Sequence, residues 1–136
     1  KIPAGQVSDE LIISTDIMPT VLQALNIKSE VTIEGVSLWQ HMTENQPVDR
    51  ETFYWHYPHY HRTKPGSVIR EGDFKLINYF EENRSELYNL KNDPGEQNDL
   101  SSELHAFANA MEDKLNRWLK NNGAKFPRPN PNYIQP

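Results

Sequence analysis

Leu104, Phe107, Ala108, Met111, Leu115, Trp118 and Leu119 recur at the spacing of one helical face. A helix with a single apolar stripe gains little stability alone in water, so this chain must supply a surface for it to cover. Asp99, Ser101 and Ser102 are candidate caps at the start of this helix, and Gly123 is a natural stop. Asp113 and Arg117 form a favourable i, i+4 pair on its wet side.

The middle of the chain reads as the covering surface. Residues 52–57 are rich in aromatics, and Pro58 ends that strand. Residues 67–70 form a second strand and Glu71-Gly72-Asp73 a tight turn. Residues 74–80 form a third, with Phe74, Leu76 and Phe80 on one face and Lys75, Ile77 and Tyr79 on the other. After a polar turn at Glu82-Asn83-Arg84, residues 86–90 form a fourth. Sequential strands joined by short turns pair antiparallel. The predicted class is therefore α+β, a small antiparallel sheet of about four strands packed against a long C-terminal helix.

The opening third is different. Ser14-Thr15-Asp16 offers capping oxygens, with Asp16 read as the cap, and Pro19 falls in the first turn of a short helix. Ile17, Val21, Leu22 and Leu25 follow at helical spacing, and Asn26 is a stop. Gly35 to Trp39 reads as a turn into a short apolar element. With 36% hydrophobic residues the core must be used efficiently. Residues 44–50 and the Pro-rich tail 126–136 are too polar to belong to it. Lys1-Ile2-Pro3-Ala4-Gly5 reads as the interior of a longer protein.

Charges of both signs alternate to a net of −5 without a basic stripe, which speaks against a nucleic-acid partner. No apolar run reaches the roughly 20 residues that span a membrane. With no cysteine, disulfides and thiolate chemistry are excluded.

The candidate chemistry lies at Phe53-Tyr54-Trp55-His56-Tyr57-Pro58-His59-Tyr60-His61-Arg62. Three histidines crowd with aromatics at a strand end and the loop after it. Imidazole can donate to an anionic oxygen or move a proton near neutral pH, and the rings can stack on a sugar or aryl group. Packing is the competing role for Tyr54, Trp55 and Tyr57, and residue type leaves both roles open for His56. No acid lies close in sequence to complete a metal site. Arg70 and Lys75 flank the Gly72 turn and could grip an anion or pair with Glu71, Asp73 or Glu86. Asp93, Glu96 and Asp99 lack the alternation of a calcium loop and read as turn and cap chemistry.

The order of motifs resembles a known family. Asp16-Ile17-Met18-Pro19-Thr20-Val21-Leu22 and the following Gly35-Val36-Ser37-Leu38 resemble segments of sulfatases in the alkaline-phosphatase-like superfamily. The stretch from Tyr54 to Tyr60 resembles arylsulfatase-A-like bacterial proteins. The stretch from Val68 to Ile77 is similar to their "I-R-x-G-D-x-K-L-I" hairpin. Glu86-Leu87-Tyr88-Asn89-Leu90, Asp93-Pro94-Gly95-Glu96 and Asn98-Asp99-Leu100 resemble their "E-L-Y-(N/D)-L-x-x-D-P-x-E-x-x-N-L" signature.

The resemblance implies that residues 1–50 are the terminal strip of a larger N-terminal α/β sulfatase domain. It makes 51–125 the C-terminal subdomain, followed by the tail. It implies a sulfuric ester hydrolase, periplasmic or secreted, acting on a sulfated small molecule or glycan with calcium and a formylglycine. The Cys/Ser-x-Pro-x-Arg motif that yields formylglycine does not occur here. The family's calcium pairs lie upstream, so the resemblance places no cofactor and no catalytic residue in this chain. His56, then His59, then Arg70 are the expected substrate-facing residues. Without its N-terminal partner domain the chain is expected to be inactive and to self-associate through exposed surface. A phosphodiesterase or phosphonate hydrolase fragment, a stand-alone sulfated-glycan binding module and a histidine-based metalloprotein are the alternatives.

Overall fold

A computed structural model describes residues 1–128 and 130–132; Pro129 and 133–136, part of the Pro-rich tail, lie outside the described residues. The chain divides into two compact units, Lys1–Glu51 and Thr52–Pro136.

The second unit is the predicted α+β body. Strands β1 (Thr52–Tyr57), β2 (Gly66–Glu71), β3 (Phe74–Tyr79) and β4 (Arg84–Asn89) form one antiparallel sheet in sequence order. Helix α3 (His105–Asn121) lies on one face; α1 and α2 belong to the first unit. Strand alternation decides which side chains meet it. Tyr54, Ile69, Leu76 and Leu87 are cross-strand neighbours in one row. The last three are fully buried against Ala108, Met111, Leu115 and Leu119. Tyr54 stacks on Trp118 with ring centroids 4.9 Å apart, and Phe74 meets Phe107 edge-on at 4.8 Å. Of the predicted stripe, Ala108, Met111, Leu115 and Leu119 are the helix's buried face and Trp118 is half-buried beside them, while Phe107 is exposed on α3 and Leu104 is exposed just before it.

Two boundaries differ from the sequence expectation. Strand β4 begins at Arg84, because Arg84 pairs with Tyr79 and only 80–83 turn the chain. Helix α3 begins at His105 and not at the candidate caps. Asp99 does other work. Its Oδ1 accepts from the Leu87 amide (2.9 Å) and the Ser101 amide (2.9 Å), while the Leu100 amide donates to the Leu87 carbonyl (2.8 Å). Residues 99–100 therefore cover part of the β4 edge, where bare amides would invite pairing with another chain. The expected stop at Gly123 is present: its φ is 60°, and the Ala124 amide donates to the Leu119 carbonyl at 3.0 Å.

The first unit holds a 3-10 turn (Ser14–Asp16), helix α1 (Ile17–Ala24) and helix α2 (Trp39–Glu44). Asn26 ends α1 in a left-handed conformation, φ 55°. The only buried residue of this unit is a charged one, Asp16, at 0% exposure. It does not cap α1 through its side chain. Instead its Oδ2 accepts from the Ile13 amide (2.9 Å) and its Oδ1 from the Val36 amide (3.0 Å). Arg50 closes on both oxygens, Nη1 to Oδ1 at 2.7 Å and Nη2 to Oδ2 at 2.5 Å. Thr20 repeats the pattern a turn later, donating to the Asp16 carbonyl (2.6 Å) and accepting from the Leu38 amide (2.9 Å).

The Asp-x-x-Pro-Thr and Gly-x-Ser-Leu segments are therefore two halves of one latch. Gly35 is required there: a Cβ at that position would stand 2.0 Å from the Thr15 carbonyl oxygen.

Candidate functional site

The end of β1 and the loop after it form the candidate site. His56 is on the helix-facing side of the sheet, opposite Ser67. Its Nε2 lies 2.9 Å from the Lys125 carbonyl, and its Nδ1 lies 2.8 Å from the Ser67 hydroxyl. A carbonyl only accepts, so Nε2 is the donor to Lys125, and in the neutral ring Nδ1 accepts from the Ser67 hydroxyl. Both nitrogens thus have partners within the unit, leaving the ring face and edge for other contacts. The ring packs 5.6 Å from Phe80 and 5.5 Å from Phe126. A residue read from the sequence as pocket-facing ties β1 to the segment beyond α3.

His56→Ala should leave the Ser67 hydroxyl, which is buried, without its partner, and should release the Lys125 carbonyl. The expected cost is about 1–3 kcal/mol. Urea unfolding measures it. Tryptic cleavage after Lys125 should accelerate at the same time. An unchanged midpoint with an unchanged cleavage rate would show that these bonds do not hold the segment.

His59 is in the exposed loop, its ring edge-on to Tyr57 at 5.6 Å. Tyr57 and Arg70 share the sheet face that looks away from α3, as cross-strand pairing shows: Arg70 opposes Phe53, and Tyr57 opposes Gly66. Four steps along the strand lead from Phe53 to Tyr57, roughly 13 Å at the usual rise. The structure therefore puts His59 and Arg70 toward one face, well apart, and His56 on the other.

The acids that could have paired with Arg70 are engaged elsewhere. Glu71 binds Lys114 at 2.6 Å, Asp73 lies 3.8 Å from Lys91, and Glu86 pairs with Arg84. The Arg70 Nε is buried with no hydrogen-bond partner among the described residues. Lys75 binds Glu96 at 2.6 Å.

The outward face also carries a tyrosine–carboxylate cluster. Tyr79 donates to Glu86 at 3.0 Å, and the Arg84 guanidinium sits 4.7 Å from the Tyr79 ring centre. Burial and the neighbouring Glu86 push the Tyr88 hydroxyl up to about 12 and raise Tyr79 as well. Burial works against the charge on Glu86, but hydrogen bonds from Arg84 and Tyr79 hold its carboxyl below the ordinary value. These groups are locked in their resting protonation states at neutral pH, which suits a rigid sheet better than proton transfer.

No three His, Asp or Glu side chains converge as a metal site among the described residues. The chain has no Cys/Ser-x-Pro-x-Arg sequence to yield the formylglycine implied by the motif resemblance, and no cluster of acids among the described residues fits the calcium. The acids Asp93 and Asp99 are occupied by amides of the 97–98 turn and of Leu87 and Ser101.

Sequence reasoning missed three features of the two units. Arg50, in a stretch read as too polar for any core, fills the centre of the first unit. In that unit the Ser8 hydroxyl also meets His41 Nε2 at 2.8 Å. In the second, Phe126 of the supposed tail packs against Phe80 at 4.9 Å. Each partner lies tens of residues away in sequence, where spacing carries no signal.

Comparison with known proteins follows the same line. Residues 1–122 match the family model described as N-sulphoglucosamine sulphohydrolase, C-terminal. An N-acetylglucosamine-6-O-sulfatase of Bacteroides thetaiotaomicron is 35% identical over 107 residues, covering 73% of this chain and 19% of the relative. A sulfatase of Formosa agariphila is 36% identical over 106 residues, covering 68% of this chain and 19% of that protein. A solved structure in complex with its substrate D-glucosamine-2-N,6-O-disulfate superposes with a TM-score of 0.73 at 29% identity. That match covers 90% of this chain and 26% of the other. The chain thus spans about a fifth of the length of the curated relatives it matches. With the family model matched along most of its length and the sheet-and-helix body in place, this chain belongs to the N-sulphoglucosamine sulphohydrolase C-terminal family and is the C-terminal region of a sulfatase.

Proposed function

We propose that this chain closes one side of the substrate pocket in an enzyme that hydrolyses sulfate esters of an amino sugar, and that it has no turnover alone. The observation that carries the reading is the 35% identity to an N-acetylglucosamine-6-O-sulfatase. Residues 1–50 act as the terminal strip of the larger α/β domain, 51–125 as the C-terminal subdomain, and 126–136 as its tail. The first unit supports that division. Its apolar side chains Ile17, Met18, Val21 and Leu25 are half exposed or more, and none of its apolar residues is buried. Such a face needs a partner, here the N-terminal sulfatase domain, and favours self-association in its absence.

Within the pocket, His59 is the group free to reach substrate. His56, on the other face of the sheet with both ring nitrogens bonded, holds the base of the His59 loop, and Arg70 supplies a cation farther along the face that His59 shares. Formylglycine and calcium belong to the other domain, which supplies the attack on sulfur.

The test uses this chain within the whole enzyme. Turnover of 6-O-sulfated N-acetylglucosamine is expected, and none from the chain by itself. His59→Ala should lower kcat/KM by about tenfold, as for loss of one hydrogen bond to a charged group, with the melting temperature unchanged. A preference for an aryl phosphodiester over the sulfate ester would sink the assignment. An unaltered kcat/KM would remove His59 from the pocket.

A further inference from the structure

Ser8 and His41 meet in the first unit, away from the histidine loop. His41 is on helix α2, and Ser8 reaches it from the segment before the 3-10 turn. Asn45 ends α2 in a left-handed conformation, φ 55°, which turns the chain back. The Gln46 carbonyl thereby comes within 2.7 Å of His41 Nδ1. A carbonyl only accepts, so Nδ1 is the donor, and in the neutral ring Nε2 keeps its lone pair. Nε2 lies 2.8 Å from the Ser8 hydroxyl, which donates to it.

We propose that Ser8 and His41 are a nucleophile and its general base, cleaving carboxylic esters of short, uncharged acyl groups. This activity is separate from sulfate-ester turnover, which the chain lacks alone, and does not depend on the sulfatase reading. Three observations lead to it.

The first is order. A hydroxyl, a base within hydrogen-bond reach and a third group that orients the base are the parts of an activated nucleophile. Here the third group is a backbone carbonyl at the end of the base's own helix, so no distant segment is needed to place it. The Ser8 Oγ also accepts from the Glu10 amide at 3.1 Å, which holds the hydroxyl against the ring.

The second is room. A cleft of about 260 Å³ opens on the pair, with Ser8 and His41 in its wall and Ile2, Pro3, Val7 and Met42 as its apolar part. Clefts for drug-sized ligands run from roughly 300 to 1,000 Å³, so this one suits a short acyl chain. The amides of Gln6, Val7 and Ser8 bond no other described residue, which leaves them available to an oxygen that develops charge.

The third is charge. Residues 2–27 and 40–49 build the site, and they hold Asp9, Glu10, Asp16, Glu44 and Asp49 but no lysine or arginine. Such a surface repels anions, so a neutral ester fits and a sulfate or phosphate ester does not.

In the first step the Ser8 oxygen bonds to the acyl carbon while His41 Nε2 takes the hydroxyl proton. The bond from that carbon to the alcohol oxygen then breaks, and His41 returns the proton to the leaving alcohol. A water molecule, losing a proton to His41, attacks the Ser8 ester. The carboxylic acid leaves and the Ser8 hydroxyl is restored.

The experiment treats this chain with p-nitrophenyl acetate and locates acetyl groups by peptide mass spectrometry. Ser8 should acetylate ahead of every other hydroxyl, and His41→Ala should slow that reaction at least about hundredfold, as for loss of a general base. Protection of the Val36 amide, bonded to Asp16, reports that the unit stays folded in the variant.

A second measurement leaves His41 in place. The chain has no cysteine, so Ser8→Cys and Ser14→Cys each report one thiol, the latter at an exposed position of the same unit. Ser8→Cys should react with iodoacetamide about tenfold faster at pH 7, because an adjacent imidazole favours the thiolate. Acetyl groups confined to lysines would overturn the proposal. So would Ser8 acetylation indifferent to His41→Ala in the folded variant, or equal alkylation of the two thiols.

Discussion

Asp16→Ala is expected to abolish the ordered structure of the first unit. The substitution leaves the Arg50 guanidinium, whose side chain is 15% exposed, without its counter-ion. It also removes the acceptor of two backbone amides, Ile13 and Val36. Breaking one side of a buried pair costs about 3–5 kcal/mol, because the remaining charge stays desolvated and unpaired. The unit has no apolar core to absorb that loss. Amide exchange is the measurement: protection at Ile13, Val36 and Leu38 should vanish, while amides of the second unit keep theirs. Asp16→Asn, which retains an acceptor, should fall between. Persistent protection at Val36 in the alanine variant would show that the latch is not what holds the segment.

The same carboxylate sets an acid limit. Hydrogen bonds from Arg50 hold its pKa at about 2 against an ordinary 3.8, with burial opposing and the Val36 and Ile13 amides helping. A pKa lowered by folding means that the stabilisation is complete above the unfolded value, near pH 4. It is lost as pH falls from there toward 2, and amounts to about 2 kcal/mol. Exchange at Val36 should therefore rise between pH 4 and pH 2 ahead of exchange in the sheet. The order would reverse if the sheet's own carboxylates, Glu86 and Asp99, dominated acid unfolding.

These contrasts explain what could be read in advance. The sheet and α3 were legible because their signals are local: alternation in 52–89, a seven-residue stripe from Leu104 to Leu119, and turn residues at Gly72 and Asn83. The motif order carried the family for the same reason. The first unit was legible only as elements. Its organising bond joins Asp16 to Arg50, 34 residues apart, and a lone aspartate before a helix reads as a cap whatever it later binds. The candidate site was half legible. The clustering of His56 and His59 could be seen, but which side of the sheet each takes depends on strand register and on where Pro58 stops it. No local pattern announces that Lys125 will return to His56 across 69 residues.

Leu115→Ala is the matching test of the second unit. Leu115 is fully buried, in the cluster where α3 meets Ile69, Leu76 and Leu87. Truncation removes the transfer energy of the lost carbons and leaves a cavity that a β-sheet cannot readily close, about 2–5 kcal/mol in all. For a domain of roughly 60–100 residues each kcal/mol lowers Tm by about 4–8 °C, so calorimetry should register a drop of at least about 8 °C. The neighbouring Lys114 provides the control. Its ammonium binds both Glu71 oxygens, at 2.6 and 2.7 Å, yet the two side chains are 43% and 30% exposed. Solvent screens such a pair, and Lys114→Ala should cost less than about 1 kcal/mol. Equal losses from the two variants would mean that the ion pair, and not the apolar stripe, fixes the helix to the sheet. The difference matters beyond stability, because α3 delivers Lys125 and Phe126 to His56. When Leu115 is truncated, tryptic cleavage after Lys125 should rise at temperatures below the main transition. The helix end would then be releasing the base of the histidine loop before the sheet itself unfolds.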